Sequence, residues 1–275
     1  MNLEKKFHEL DKKLNGKYGI WVEWLDTGET WGLRQNQIFP TASVIKTQIM
    51  VALFERAKNN KRFSLDRKVR LRRKDIVEGS GVLRFLKPGV EMRLRDLCML
   101  MIIVSDNTAT NMVIDALGVE AINESIRSWG YEKTVLNRKL TCDPAICSTI
   151  TLADTTPQET GDLLARIARR KMLGARYDKE MERILSCQRL DTALPRLLPW
   201  DKEGPVFSIA HKTGSITGAR NDAGIVTSPA GRYVISVFTR RLKDTIYNCE
   251  NEGTKGIAKV SKITYDAFQK RYGTR

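Results

Sequence analysis

Strand-like segments occur only near the two ends of this 275-residue chain, and everything from about residue 43 to 189 reads mainly as helix. At the N-terminal end, "YGIWVEWL" (18–25), the turn "DTGE" (26–29) and "TWGL" (30–33) read as a β-hairpin. At the C-terminal end, "VFSIAHKTG" (206–214), "DAGIVTS" (222–228) and "RYVISVFTR" (232–240) read as three antiparallel strands joined by short Gly, Pro, Ser and Asn turns. Edges left unpaired at both ends favour one sheet assembled from the two termini, with the helical part inserted as a second lobe. The helical periods fall at 44–58, 94–104, 108–117, 119–129, 158–172 and 178–188. Leu3, Phe7, Leu10 and Leu14 form an amphipathic stripe at the start, and 254–270 reads as a closing helix. The expected layout is a single domain over 1–275, with an α/β lobe from about 1–42 and 200–275 and a helical lobe over about 43–199. A cleft between lobes is the default place for a ligand.

At 41% hydrophobic and 29% charged residues, the chain can bury a full core and is expected to be globular. Its longest uninterrupted apolar run, "LCMLMIIV" (97–104), is far short of the roughly 20 residues that span a bilayer, so no transmembrane segment is expected. The N-terminus has no apolar signal-like region; a cytoplasmic location is expected if it is native, and a secreted or periplasmic one if a signal was removed. The five cysteines (98, 142, 147, 187 and 249) are odd in number and include no C-x-x-C pair, so free thiols are the default. The two histidines, His8 and His211, have no second ligand at metal spacing, and neither sits in a nucleophile-elbow context. No metal and no cofactor is expected. The net charge of +15 could draw the protein to nucleic acid, an anionic membrane or an acidic wall polymer, but no helix-turn-helix, zinc-finger or RNP signature supports the first, and a solvated basic surface is the default reading. A monomer acting on a small-molecule substrate is expected.

The stretch "TASVIKTQIM" (41–50) places Lys46 three residues after Ser43 at the start of an apolar helix. With 13 serines and 22 lysines, one such pair is expected by chance, so the pair alone does not separate a nucleophile and its activator from an ordinary helix N-terminus. Two further triplets decide between them. "SDN" (105–107) directly follows the apolar helix 94–104, and "KTG" (212–214) closes a strand. S-x-x-K, S-D-N and K-T-G in this order form the signature set of class A β-lactamases and penicillin-binding proteins.

The chain resembles the class A serine β-lactamase family and its penicillin-recognising relatives from about residue 17 to 270. The resemblance extends to "FPTASVIKTQIMVALFERA", "LRDLCMLMIIVSDNTATNMVIDALG", "DTTP" and "HKTGSITGARNDAGIV". It implies an α+β, β-lactamase-like fold: a five-stranded antiparallel sheet flanked by terminal helices, plus an inserted all-helical lobe. It also implies an acyl-enzyme at Ser43. Residues at i and i+3 of a helix share a face, so Ser43 Oγ and the Lys46 ammonium can meet. Lysine serves as a base only if burial or nearby positive charge lowers its pKa, and Lys212 would supply that charge. Ser105 would relay a proton to the leaving nitrogen. Asn107 would bind a substrate carbonyl and hold Lys46. Thr213 and Ser215 offer hydroxyls to a substrate carboxylate, and Arg220 is a candidate clamp for the same group. The backbone N–H groups of Ser43 and Ser215 are the expected oxyanion hole.

One departure stands out. The family's Ω-shaped loop carries a glutamate that activates the deacylating water, and the corresponding stretch here is "LNRKLTCDPAICSTITLADTTP" (136–157). Arg138 and Asp154 stand where the family closes this loop with a salt bridge, but Leu140 stands where the glutamate is expected. No glutamate occurs between 133 and 158. Asp143 is the one carboxylate in the loop besides Asp154; it is either a substitute base in a shifted register or an Asp-Pro turn residue. The expectation is a β-lactamase-like serine hydrolase acting on β-lactams or on D-amino-acyl amides and esters, with weak or atypical deacylation. The alternative is a penicillin-binding protein or covalent sensor that acylates without efficient turnover.

Overall fold

The computed structural model describes residues 2–141, 143, 145 and 150–273. Five antiparallel strands form its main sheet: β1 (Lys17–Trp24), β2 (Thr30–Leu33), β3 (Ser208–Ile216), β4 (Ala219–Ser228) and β5 (Gly231–Arg240), in the order β3-β4-β5-β1-β2. The join between the chain ends is the β1–β5 pairing, in which Ile20 faces Val237 and Val22 faces Ile235. Period-two alternation gives each face its own core. Tyr18, Ile20, Val22 and Trp24 of β1 pack with Tyr233, Ile235 and Val237 against the terminal helices α1 (Leu3–Asp11) and α8 (Glu252–Tyr272). Trp21, Val234 and Phe238 face the other way, into the core shared with the helical part of the chain.

That helical part contains α2 (Lys46–Asn59), α3 (Leu94–Ile103), α4 (Asn107–Leu117), α5 (Val119–Ser128), α6 (Pro157–Ala168) and α7 (Ala175–Ser186). Every residue of α2 from Lys46 to Phe54 is buried, which makes it the central helix and not an amphipathic surface one. Helix α6 begins as its sequence demands: the Thr156 hydroxyl accepts the N–H of Glu159 at 3.0 Å and Pro157 occupies the first turn, where a missing N–H costs nothing.

The elements differ from the sequence reading mainly at their ends and in the short pairings. Helix α1 stops at Asp11 instead of Leu14. Helix α6 ends at Ala168, where Arg170 turns left-handed with φ of 64°. Helix α7 starts early, at Ala175, because the buried Asp178 carboxylate gathers the N–H groups of Met172, Leu173 and Gly174. Three small sheets go beyond the sequence reading: Phe39–Pro40 and Val135–Leu136 on either side of Ala153–Thr155, Lys68–Arg70 with Glu91–Arg93, and Trp200–Asp201 with Gly204–Pro205. Cys98, Cys187 and Cys249 are free thiols, while Cys142 and Cys147 lie outside the described residues. No helix among the described residues is long and apolar enough to cross a membrane.

The sheet and α6 touch where Gly161 meets Trp21. A Cβ at Gly161 would lie 2.1 Å from the buried Trp21 ring. Gly161→Ala is therefore expected to lower stability by about 1–3 kcal/mol, read as a lower urea midpoint with an unchanged slope. An unchanged midpoint would show that Trp21 swings away freely.

Candidate active site

Ser43 lies on a 3-10 turn, Ala42–Ile45, that runs directly into α2. The turn is held from two sides. The Thr41 N–H donates to the Ala153 carbonyl at 2.9 Å, and the Asn221 side-chain amide on β4 donates to the carbonyls of Pro40 and Thr41 at 2.8 and 3.1 Å. Strand β3 presses close: a Cβ at Gly214 would lie 2.9 Å from Ser43 N and 3.0 Å from Val44 N, so the glycine of "KTG" is needed for this approach. Ala42 and Ser105 both take left-handed backbone conformations, with φ of 45° and 55°. Such non-glycine conformations cost of order 1–3 kcal/mol each and gather at working sites.

Lys46 is fully buried. Its Nζ donates to the Ser105 carbonyl at 2.7 Å, the Ser105 hydroxyl at 3.1 Å and Asn107 Oδ1 at 2.9 Å. These three bonds use every donor of an ammonium. Among the described residues the Ser43 hydroxyl makes no hydrogen bond, so the expected Ser43–Lys46 contact is not formed and Lys46 is held by the "SDN" turn instead. Loss of one proton would release a lone pair from this arrangement. Burial pushes the Lys46 pKa well below the ordinary lysine value; the charge of Lys212 lowers it further, and Asp106 acts in the opposite sense. Lys212 is also fully buried, and its Nζ donates to the Thr213 carbonyl at 2.8 Å. Burial brings its pKa down to about 7 against the upward pull of Asp222.

The "SDN" turn is in turn fastened to the loop 77–83. Asp106 caps α4 by accepting the Ala109 N–H at 2.8 Å, and its other oxygen accepts the N–H groups of Val82 and Leu83 at 2.6 and 2.8 Å. Asn107 receives Lys46 on its oxygen and donates to the Glu78 carbonyl at 3.0 Å. An amide NH2 has two donors, so one is left for a substrate carbonyl.

A cavity of about 480 Å³ opens beside Ser43, lined among others by Ser80, Asn107, Leu140, Ser215, Ile216 and Tyr247. A neighbouring cavity of about 340 Å³ carries Thr213, Ser215, Arg220 and Tyr247. The structure thus brings Ser43, Lys46, Ser105, Asn107, Lys212, Thr213, Ser215 and Arg220 to one region. Arg220 is less free than a simple clamp. Its guanidinium donates to the carbonyls of Ile216, Ala219 and Ile246 at 2.6, 2.8 and 2.5 Å and lies 4.4 Å from the Tyr247 ring centre. Desolvation lowers its pKa, with Tyr247 and Asp244 opposing.

Leu140 is fixed by its backbone: its N–H donates to Asn111 Oδ1 and its carbonyl accepts from Asn111 Nδ2, both at 2.9 Å. Among the described lining residues of either cavity there is no carboxylate. Asp143 is exposed, is not among them, and accepts the Ala145 N–H at 2.9 Å, as a turn residue does. The Arg138–Asp154 salt bridge is replaced. Asp154 accepts from Thr151 and Asn137 at 2.8 and 3.2 Å, while Arg138 donates to the carbonyls of Ile150 and Lys139 at 2.9 and 3.0 Å. His211 Nδ1 donates to the Asp222 carboxylate at 2.9 Å in a buried pair that ties β3 to β4 and lines neither cavity. Asn111, Asn221, Ser80 and Tyr247 were not singled out in the sequence. The two asparagines hold backbone across gaps of 29 and about 180 residues, which no local pattern signals.

The model of the "Beta-lactamase enzyme family" matches residues 2–268, and the chain belongs to that family. Among its relatives, β-lactamase SME-1 of Serratia marcescens is 27% identical, over 96% of this chain and 88% of its own. The solved β-lactamase of Sphaerobacter thermophilus is 29% identical with a TM-score of 0.86, covering 97% of each chain. The structure of PBP-A is 32% identical with a TM-score of 0.85, covering 98% of this chain and 97% of its own; a leucine-to-glutamate variant of PBP-A has been solved as an acyl-enzyme complex with penicillin G.

Because Lys212 is one cause of the lowered Lys46 pKa, Lys212→Met is expected to raise the pKa of Lys46 and move the acid limb of Ser43 acylation to higher pH. The effect belongs to the range below about 7, where Lys212 itself carries charge. The pH profile of the acylation rate checks it, and an unmoved limb would leave burial as the whole cause.

Proposed function

We propose that this β-lactamase-family protein acylates Ser43 efficiently with β-lactams, or with D-amino-acyl amides and esters, and releases the acyl group slowly. The observation that carries the reading is Leu140, pinned by Asn111 beside a Ser43 cavity whose described lining has no carboxylate. Acylation has its parts. Neutral Lys46, released from one of its three bonds to the "SDN" turn, turns its lone pair to Ser43 and takes the hydroxyl proton as Oγ bonds to the substrate carbonyl carbon. The N–H groups of Ser43 and Ser215, brought close by the bare Gly214, receive the developing oxyanion, an interaction typically worth about 3 kcal/mol per donor. The proton then passes from Lys46 to Ser105 Oγ, 3.1 Å away, and on to the leaving nitrogen. Thr213, Ser215 and Arg220 border the neighbouring cavity, where a substrate carboxylate would sit.

Deacylation needs a base for water, and leucine cannot accept a proton. This reading gives Asp143 no part, since its carboxylate serves the turn at Ala145. The leucine-to-glutamate exchange described for PBP-A is the same exchange that Leu140 invites.

Intact-mass time courses with a penicillin and a chromogenic cephalosporin test the proposal. A stoichiometric adduct that outlasts the acylation phase is expected in the native protein and none in Ser43→Ala. Leu140→Glu should raise turnover tenfold or more, the usual scale of a general-base contribution being about 10²–10⁴. Catalytic product release by the native protein without adduct accumulation would overturn slow deacylation, and an adduct surviving in Ser43→Ala would overturn the nucleophile.

A further inference from the structure

Residues 61–95 hold twelve Lys and Arg against four Asp and Glu, a surplus of eight in a chain whose whole net charge is +15. Arg70, Arg72, Arg93 and Arg95 are paired with Glu91, Asp75 and Asp66. Among the described residues the other eight cations of the segment, Arg73, Lys74 and Lys87 among them, join no ion pair, and seven of these are exposed. The same segment carries an apolar tip. Val82, Phe85, Leu86 and Val90 are 46%, 72%, 42% and 39% exposed on one nine-residue loop.

The tip and the cations are neighbours. Backbone bonds from Gly89 N to Leu71 O and from Leu71 N to Val90 O, both 2.8 Å, lay the loop against the basic run 72–74. The Arg84 guanidinium sits 4.5 Å from the Phe85 ring centre. A 3-10 turn, Leu83–Phe85, places Val82, Phe85 and Leu86 on adjacent positions, and the Asp106 bonds to Val82 and Leu83 hold it. None of the four apolar side chains lines the Ser43 cavities, so they are not substrate walls.

We infer that the loop 82–90 and the cations beside it form a docking surface for an anionic phospholipid bilayer, with the apolar tip inserted among the headgroups. Exposed apolar groups rimmed by charge mark interaction surfaces, and shallow apolar insertion combined with Lys and Arg is what the membrane interface takes. Four side chains on one short loop are a small footprint beside the roughly 800 Å² that each partner of a standard protein interface buries. A soluble polyanion would use the cations and leave Phe85 and Leu86 without a role. The loop follows the cleft wall directly in sequence, since Ser80, two residues before Val82, lines the Ser43 cavity.

Co-sedimentation of the full chain with vesicles tests this. Vesicles of phosphatidylcholine and phosphatidylglycerol should pellet the protein, pure phosphatidylcholine should not, and added salt should weaken binding. Phe85→Asp with Leu86→Asp, and separately Arg73→Glu with Lys74→Glu and Lys87→Glu, should each lower partitioning by about tenfold or more. Phe85→Asp should leave the vesicle-free acylation rate of Ser43 unchanged, which shows that the variant is folded. Phe85→Ala, a milder change, should give an intermediate loss. No pelleting with anionic vesicles would overturn the inference. So would binding that is indifferent to Phe85 and Leu86, or binding to soluble polyglutamate as tight as to vesicles, either of which would make the face a plain polyanion surface.

Discussion

A lysine ammonium with no exposed surface is the constraint around which the rest of the site is built. Removing a charge from water is costly unless every donor finds a partner, and Lys46 finds a carbonyl, a hydroxyl and an amide oxygen on one turn. To supply both the carbonyl and the hydroxyl, Ser105 adopts a left-handed backbone conformation. To keep that turn in place, Asp106 spends its carboxylate on three backbone N–H groups instead of pairing with Lys46. The result is a lysine surrounded by neutral acceptors, with Lys212 as the cation and Asp106 as the anion that bear on it. That environment is the one in which a lysine gives up its proton most readily.

Strands from the C-terminal end of the chain also fix the Ser43 turn that leads into this lysine's helix. Strand β3 reaches the Ser43 turn because position 214 has no Cβ, and β4 holds the approach to Ser43 through the Asn221 amide. The Thr239 N–H donates to Asn221 Oδ1 at 2.9 Å, so β5 steadies the same side chain. Three strands from the C-terminal end thereby set the position of a turn that lies far earlier in the chain. Because each face of the sheet is buried in its own core, a one-residue slip would send every side chain to the wrong face, so the register that places these strands at the Ser43 turn is strongly specified.

The large elements and the three motif triplets were readable because each has a local signature: a period of 2 or 3.6, or residue types at fixed short spacing. The five strands of the main sheet and the eight helices of the described residues follow that reading to within a few residues at most ends. What escaped it has no local signature. A two-residue pairing such as Phe39–Pro40 with Asp154–Thr155 has no period to detect. Asn111 and Asn221 look like any surface amide until the backbone they hold is brought to them. The Arg138–Asp154 bridge failed for a related reason. Asp154 sits on a short strand within reach of Thr151 and Asn137, and these nearer donors take its oxygen.

Leucine at 140 is better understood as an exchange than as a loss. Asn111 grips the backbone of residue 140 at both N–H and carbonyl, so the point from which that side chain springs is fixed independently of its identity. A glutamate there would present a carboxylate to a cavity that already contains a buried lysine system, and it would create a base for water. A leucine in the same place keeps the wall of the cavity and adds no carboxylate to a lining that already carries Arg138. In the proposed function, the half of the reaction that remains is the one assigned to Lys46 and Ser105: making the acyl bond and protonating the group that leaves. The other half, in the same proposal, needs a second, independent base, and Asn111 already holds the backbone of the residue where one would stand.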